Sequence, residues 1–410
     1  MTTWRRLLLP AGVDAAAGPL LVARALRAFA DGYMAILLPA YLLALGLGTL
    51  EVGVVATATM FGSALATVAV GAWGHRFRSS RLLRGAALLM VLTGVGFAAF
   101  SSFWPLLVVA FVGTLNPSSG DVSVFLPLEH ARLAGAARGH VRTALFERYS
   151  LLGAVAAALG ALAAAVPAWL IASGVSDVAA LRAMFVLYGA VGLLVWQLYR
   201  RQPPPATEDE PDPSPPAPLG PSRAVVVRLA ALFSVDAFAG GLVVNSLMAL
   251  WLLERFGFSL AQAGAFFFWA GLLSALSQLA APVVARRFGL LNTMAFTHIP
   301  ASLCVIAVAF APNVAVVFGL MFVRALLSNM DVPARSSYVM AIVTPAERAA
   351  AAGVTNVPRS LASAFSPALA GLLYSVSPFA WPLVIGGSLK TLYDLLLLWR
   401  FQKVRPPEEA

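Results

Sequence analysis

The chain has 410 residues, 60% of them hydrophobic and only 11% charged. A soluble enzyme or binding domain needs far more charge than that to cover its surface, so those classes are excluded. The formal net charge of +10 would point to nucleic acid in a soluble chain, but the basic residues here fall in alternate loops, which is a topology signal.

The apolar blocks are about 20 residues long, enough to cross roughly 30 Å of hydrocarbon as helices. A membrane β-barrel would show ten-residue alternation instead. Arg5 and Arg6 precede an apolar run with no evident cleavage site, so the N-terminus is read as uncleaved. Twelve spans are predicted, near 20–43, 50–72, 82–101, 104–128, 142–166, 180–199, 225–252, 260–284, 292–311, 314–342, 350–374 and 379–399. Basic residues collect on one set of connections, including Arg76, Arg78 and Arg81, Arg132 and Arg142, Arg200 and Arg201, and Arg286 and Arg287. The opposite set carries little beyond Arg182 and Arg255. Both termini are therefore expected on the cytoplasmic side.

Residues 202–222 are proline-rich and acidic, the composition of an extended linker. They separate a first half, 1–201, from a second, 223–410, and the two halves match. Gly46 and Gly257 stand 211 apart, as do Arg76 and Arg287 and also Arg148 and Arg359, while Asp121 and Asp331 stand 210 apart. Such agreement implies duplication of a six-span unit. Six is even, so both copies have the same orientation, related by an axis along the membrane normal with a binding site at their interface.

Two polar stretches interrupt apolar spans: 116–129, from Asn116 through Asp121 to Glu129, and 329–337, from Asn329 through Asp331 to Arg335. Charges inside apolar helices are costly and by default mark a pathway or a working pair. Asp121 with Arg148, and Asp331 with Arg359, are read as ion pairs that brace adjacent helices near the cytoplasmic mouth, with direct solute contact as the other reading. Arg24, Arg27 and Asp31 share one helix face. Asp31 is either a proton or cation site or a permanent partner for Arg27. At about 1.5 Å of rise per residue, Asp31, Asn116, Asp236 and Arg324 all lie near the bilayer midplane. Arg324 suits a carboxylate or phosphate, or else an acid on another span. His75, His130, His140 and His298 have no metal-ligand spacing, and no metal is expected. No nucleotide-binding motif, nucleophile elbow or other catalytic constellation is present, so neither an enzyme nor a cofactor is expected.

In the loop after span two, Gly71, Ala72, Trp73, Gly74, His75, Arg76, Phe77 and Arg78 run in order, and Arg286, Arg287, Phe288 and Gly289 occupy the matching loop. With the twelve spans and the repeat, these loops resemble the major facilitator superfamily, and the resemblance covers nearly all of the chain. Gly71, Arg76, Arg287 and Gly289 fit the gate motif of that family, whereas His75 stands where the family has an acid and Arg78 where it has a glycine. The arginine usual in span four is replaced by Gly113, and the proline-bearing glycine motif of drug–proton antiporters in span five is absent. The resemblance implies an all-α membrane fold with spans one, four, seven and ten lining a central cavity. It also implies a secondary transporter of a small molecule that rocks about that cavity. Arg27, Asp31, Asn116, Asp236 and Arg324 are then the expected solute and proton pathway. Proton-coupled export of a small organic or drug-like compound, uptake of an anionic metabolite, and a non-transporting sensor or scaffold on the same fold remain open. A monomer in a bacterial cytoplasmic membrane is expected, with lipid, solute and protons as partners.

Overall fold

The computed structural model describes residues 13–14, 16–118, 123–136, 139–201, 219–344 and 347–402. Secondary structure there is helical, with no strand among the described residues. This is what a lipid environment requires of a chain that does not close a barrel, because a helix satisfies its own backbone polar groups.

The helices run in order as α1 (Ala17–Ala44), α2 (Thr49–Trp73), α3 (Ser79–Ala99), α4 (Phe103–Val112), α5 (Phe125–Ala136), α6 (Gly139–Leu162), α7 (Val166–Ala172) and α8 (Asp177–Arg200). They continue as α9 (Arg223–Gly241), α10 (Asn245–Phe256), α11 (Leu260–Phe288), α12 (Leu290–Ala309), α13 (Val314–Leu327), α14 (Asp331–Ala341), α15 (Arg348–Val376) and α16 (Trp381–Phe401). Three predicted spans are not continuous. Span four divides into α4 and α5, span seven into α9 and α10, and span ten into α13 and α14. In span four the break holds Asn116 and Pro117, and the Asn116 side chain accepts from the Ser118 amide at 3.1 Å and the Ser118 hydroxyl at 2.7 Å. A side chain that bonds its own nearby backbone in this way competes with helix continuation.

Among the described residues, eight helical stretches are long and apolar enough to cross a membrane on length and composition. α1 is long enough but too charged to meet that criterion, since Arg24, Arg27 and Asp31 lie within it. Bulky apolar side chains stay exposed around the fold, among them Trp104, Trp169, Phe310, Val376 and Trp399. Several of the tryptophans sit at helix ends, where an amphipathic ring meets the headgroup level.

The chain forms two compact units. One comprises residues 1–210 and 248–268, the other 211–247 and 269–410. Within the first, α1 packs on α6 and α8, and α3 on α8. Within the second, α9 packs on α15 and α16, and α12 on α16. The same span pairs are used in each unit. Small residues make the closest crossings possible. A Cβ on Gly32 would collide with the Ala157 carbonyl, and one on Gly160 with the Phe29 carbonyl, so α1 and α6 meet backbone to backbone.

The repeat is physical as well as textual at one turn. Gly46 has φ +82 and Gly257 φ +63, the left-handed region that favours glycine. Two residues on, the Gly48 amide donates to the Glu51 carboxylate at 3.0 Å, and the Ser259 amide donates to the Gln262 side-chain oxygen at 2.8 Å. Glu51 and Gln262 are also 211 apart. The same glycine stop and the same acceptor three residues into the next helix appear in both copies.

Candidate functional site

Each unit buries one polar cluster, and each cluster is built from the span that opens the unit and the second segment of its broken span.

In the first unit α1 carries Arg27, which is bonded to the Glu129 carboxylate on α5; both are buried. Tyr149 on α6 and Tyr199 on α8 donate their hydroxyls to the same carboxylate. The Arg27 guanidinium lies 4.0 Å over the Phe125 ring, and Arg24 lies 5.2 Å over Tyr149. Glu129 is therefore saturated by one cation and two phenols, the degree of pairing a buried charge demands. Arg27, one of whose readings from sequence is a partner for Asp31, is bonded here to Glu129. Asp31 lies one turn along in the field of Arg27 and Arg24. Arg24 and Arg27 thus face Asp31 and Glu129, two cations and two acids. Asn116 is buried in the break of span four. A cavity of about 250 Å³ adjoins that break, lined mainly by apolar side chains with Arg81, Thr114 and Ser123 among them.

The second unit reverses the sign of the pair. α9 carries the acid, Asp236, and α14 the base, Arg335, whose Nη1 lies 3.3 Å from Asp236 Oδ2 and 3.2 Å from Asp331 Oδ2. The Lys390 ammonium on α16 donates to Asp236 Oδ1 at 2.7 Å. Lys390 also faces His298 Nε2 at 3.3 Å, and His298 Nδ1 lies 3.0 Å from Asp394 Oδ2. With its proton on Nδ1, the imidazole donates to Asp394 and presents a lone pair to Lys390. A hydrogen-bonded chain therefore runs from Asp394 through His298, Lys390 and Asp236 to Arg335 and Asp331. It crosses four helices, α16, α12, α9 and α14.

This chain forms one wall of a cavity of about 170 Å³, which Arg324, Arg359, Ser302, Ser328 and Asn329 also line. Ser328 and Asn329 belong to the break in span ten, so a discontinuous helix opens onto the cavity. Non-helical backbone at membrane depth is tolerated where it lines such a space.

Four of the residues singled out from sequence, Asp236, Arg324, Asp331 and Arg359, come together here. Their pairing differs from the expectation. Asp331 is bonded by Arg335 one turn away, and Arg359 makes no ion pair among the described residues. Asp121 lies outside the described residues, so the pair expected with Arg148 does too. Arg76 lies in a short 3-10 turn after α2, which contains Gly71; Gly289 precedes α12 with φ +84, and the Arg287 guanidinium is 5.7 Å from the Phe288 ring.

Sequence reasoning missed Lys390 and Asp394, although the rule that exposed Asp236 applies equally to them: both are charges inside an apolar span. His298 was weighed only as a metal ligand. Glu129 is read from sequence only as the end of the polar stretch 116–129, with no partner assigned to it.

Paired helical units with buried charge clusters and broken helices at membrane depth define a polytopic transporter fold. Comparison with known proteins agrees. The profile of the Major Facilitator Superfamily matches residues 20–326. The chain belongs to that superfamily, whose members are transporters. It is 24% identical to an uncharacterised membrane protein of Saccharomyces cerevisiae, over 92% of each chain. Its fold is similar to that of a bacterial homolog of the human lysosomal transporter Spinster in an inward-facing, occupied state, with a TM-score of 0.73, 18% identity and coverage of 95% and 97% of the two chains. It is also similar to the xylose transporter XylE from E. coli, with a TM-score of 0.72, 16% identity and coverage of 97% and 100%. The nucleoside transporter NupG gives a TM-score of 0.71 at 13% identity, covering 95% and 99%.

Proposed function

We propose that the protein is a proton-coupled secondary transporter of a small polar solute, with the cavity beside Asp236 on the solute path. One observation carries this reading: a cavity in the second unit has a hydrogen-bonded chain of titratable side chains as its wall. Solute and proton then meet the same residues, which is what coupling requires. Alternating access would expose Asp236 and Arg324 in turn to each side of the membrane. The charged lining favours a polar solute among the small organic or drug-like compounds left open by the sequence. Asp31, Arg27 and Asn116 contribute the first half of the path. We read Asp31 as the proton site of that half.

The coupling step we assign to His298. A proton arriving at Nε2 displaces the Lys390 ammonium from that nitrogen and leaves it on Asp236; loss of the proton restores the contact. The alternation of basic loops supports a cytoplasmic location for both termini.

The test uses proteoliposomes loaded with a pH-sensitive dye and challenged with a panel of small metabolites. A transported member should move protons with it, and His298→Gln should abolish the proton signal while leaving exchange of labelled solute across the membrane. Solute flux that ignores an imposed pH gradient, and that is unchanged by His298→Gln and by Asp31→Asn, would contradict the proposal.

A further inference from the structure

We propose that the cavity in the second unit is an anion site, in which Arg324 and Arg359 grip a carboxylate, phosphate or sulfonate group of the solute. The proposal rests on the transporter reading above and adds the chemical class of what is carried.

The argument is one of charge balance. Four side chains of fixed positive charge line the cavity, Arg324, Arg335, Arg359 and Lys390, against two carboxylates, Asp236 and Asp331. Both carboxylates are occupied. Arg335 is bonded to each of them, and Lys390 takes the second oxygen of Asp236. The third acid, Asp394, lies behind His298 and is bonded to it. Counting Asp394, four cations face three acids, and a proton on His298 raises the excess further.

Arg324 and Arg359 carry the excess. Arg324 has no ion-pair or hydrogen-bond partner among the described residues, and the one group whose charge would act on it is the Cys304 thiol. Arg359 has a buried Nε without a partner, and the carboxylates of Asp236 and Asp331 act on it only from beyond ion-pair distance. Ser302, on the same cavity wall, has a buried hydroxyl without a partner. Unpaired guanidiniums at membrane depth are expensive, and a planar fork of donors matches a carboxylate or phosphate in shape as well as sign. The cluster around Glu129 makes the contrast: Arg24 and Arg27 face Asp31 and Glu129, with no excess. An anion entering the second cavity would supply the missing charge. A cavity of about 170 Å³ compares with roughly 150 Å³ for one that holds benzene, so the anchored part of the solute is small.

The test is a thermal-unfolding titration of purified full-length protein. The probes are small carboxylates, phosphomonoesters and sulfonates, each matched with its neutral amide or ester. At least one anion should raise the unfolding temperature in a saturable way while its neutral partner does not. Arg324→Gln and Arg359→Gln should each weaken that binding by about tenfold or more. Arg324→Lys should recover part of it, which distinguishes lost recognition from a damaged fold. No anion outdoing its neutral partner, or anion binding that survives both Gln substitutions, would overturn the assignment. A neutral member of the panel that binds and is carried with protons would remove the anion site and leave the transporter reading standing. An anion that binds in this way but moves no protons would do the reverse.

Discussion

At the scale of single residues, the two units answer one problem with opposite signs. A charge buried on the opening span must meet a counter-charge on the second segment of the broken span. The first unit uses Arg27 with Glu129, and the second Asp236 with Arg335. Removing one member leaves the other charge uncompensated, which costs about 3–5 kcal/mol, whereas removing both is far milder. Arg27→Gln should therefore lower the unfolding temperature sharply, and adding Glu129→Gln should recover most of the loss. Thermal unfolding of the two single variants and the double variant measures this directly; equal damage from the single and the double would refute the pairing. These pairs were half legible in the sequence. The cost of an intramembrane charge singles out Arg27, Asp31, Asp236 and Arg324 from their neighbours alone. Which carboxylate meets which cation depends on helix packing across a hundred residues of chain, and no spacing rule reports it.

At the scale of elements, helices end where local chemistry offers the backbone another partner. Outside the spans, Glu347 immediately precedes α15 and its side chain clasps the chain that leads into α9. Its carboxylate accepts from the Gly220 amide at 2.6 Å and from the Ser222 and Thr344 hydroxyls, each at 2.8 Å. These donors favour the ionised form and hold its pKa down to about 2, from an ordinary 4.5. For a depressed carboxylate, the stabilisation is fully present above the unfolded-state value and fades as pH falls through the folded-state value. Glu347→Gln should thus unfold at a lower temperature than the parent at neutral pH, and the gap should narrow below about pH 4.5 and close near pH 2. Unfolding temperatures of both proteins across a pH series check this; a gap independent of pH would show that the clasp does not depend on the carboxylate charge. At the α1–α6 crossing, Gly160→Val places side-chain atoms against the Phe29 carbonyl. Overpacking of this kind costs about 1–3 kcal/mol, read as lost thermal stability, whereas the same change at open Gly353 should cost little beyond helix propensity. The breaks in spans four and ten could be anticipated as polar interruptions. Their division into separate helices was not legible, because hydropathy integrates over a whole span and does not report where the backbone leaves the helix.

At the scale of the whole molecule, hydropathy and charge alternation are enough to read a twelve-span helical membrane protein, while the repeat and the loops around Arg76 and Arg287 carry the resemblance to the Major Facilitator Superfamily. A repeat offset that recurs at a glycine stop and its capping residue carries the duplication into the physics of the turn. What the sequence left open is the solute, since recognition depends on which charges remain unpaired after folding. The segment 202–222 has the composition of a spacer, so deletion of 203–218 should leave solute flux intact; loss of flux would favour the scaffold reading. The most direct test of the central claim is flux of the solute that the purified protein binds, measured in proteoliposomes for the parent and for Asp236→Asn. Asp236 holds Lys390 and Arg335 at the cavity wall, and its neutral isostere should cut proton-driven flux by at least about tenfold while the protein still folds. Undiminished, still proton-driven flux through Asp236→Asn would contradict the account.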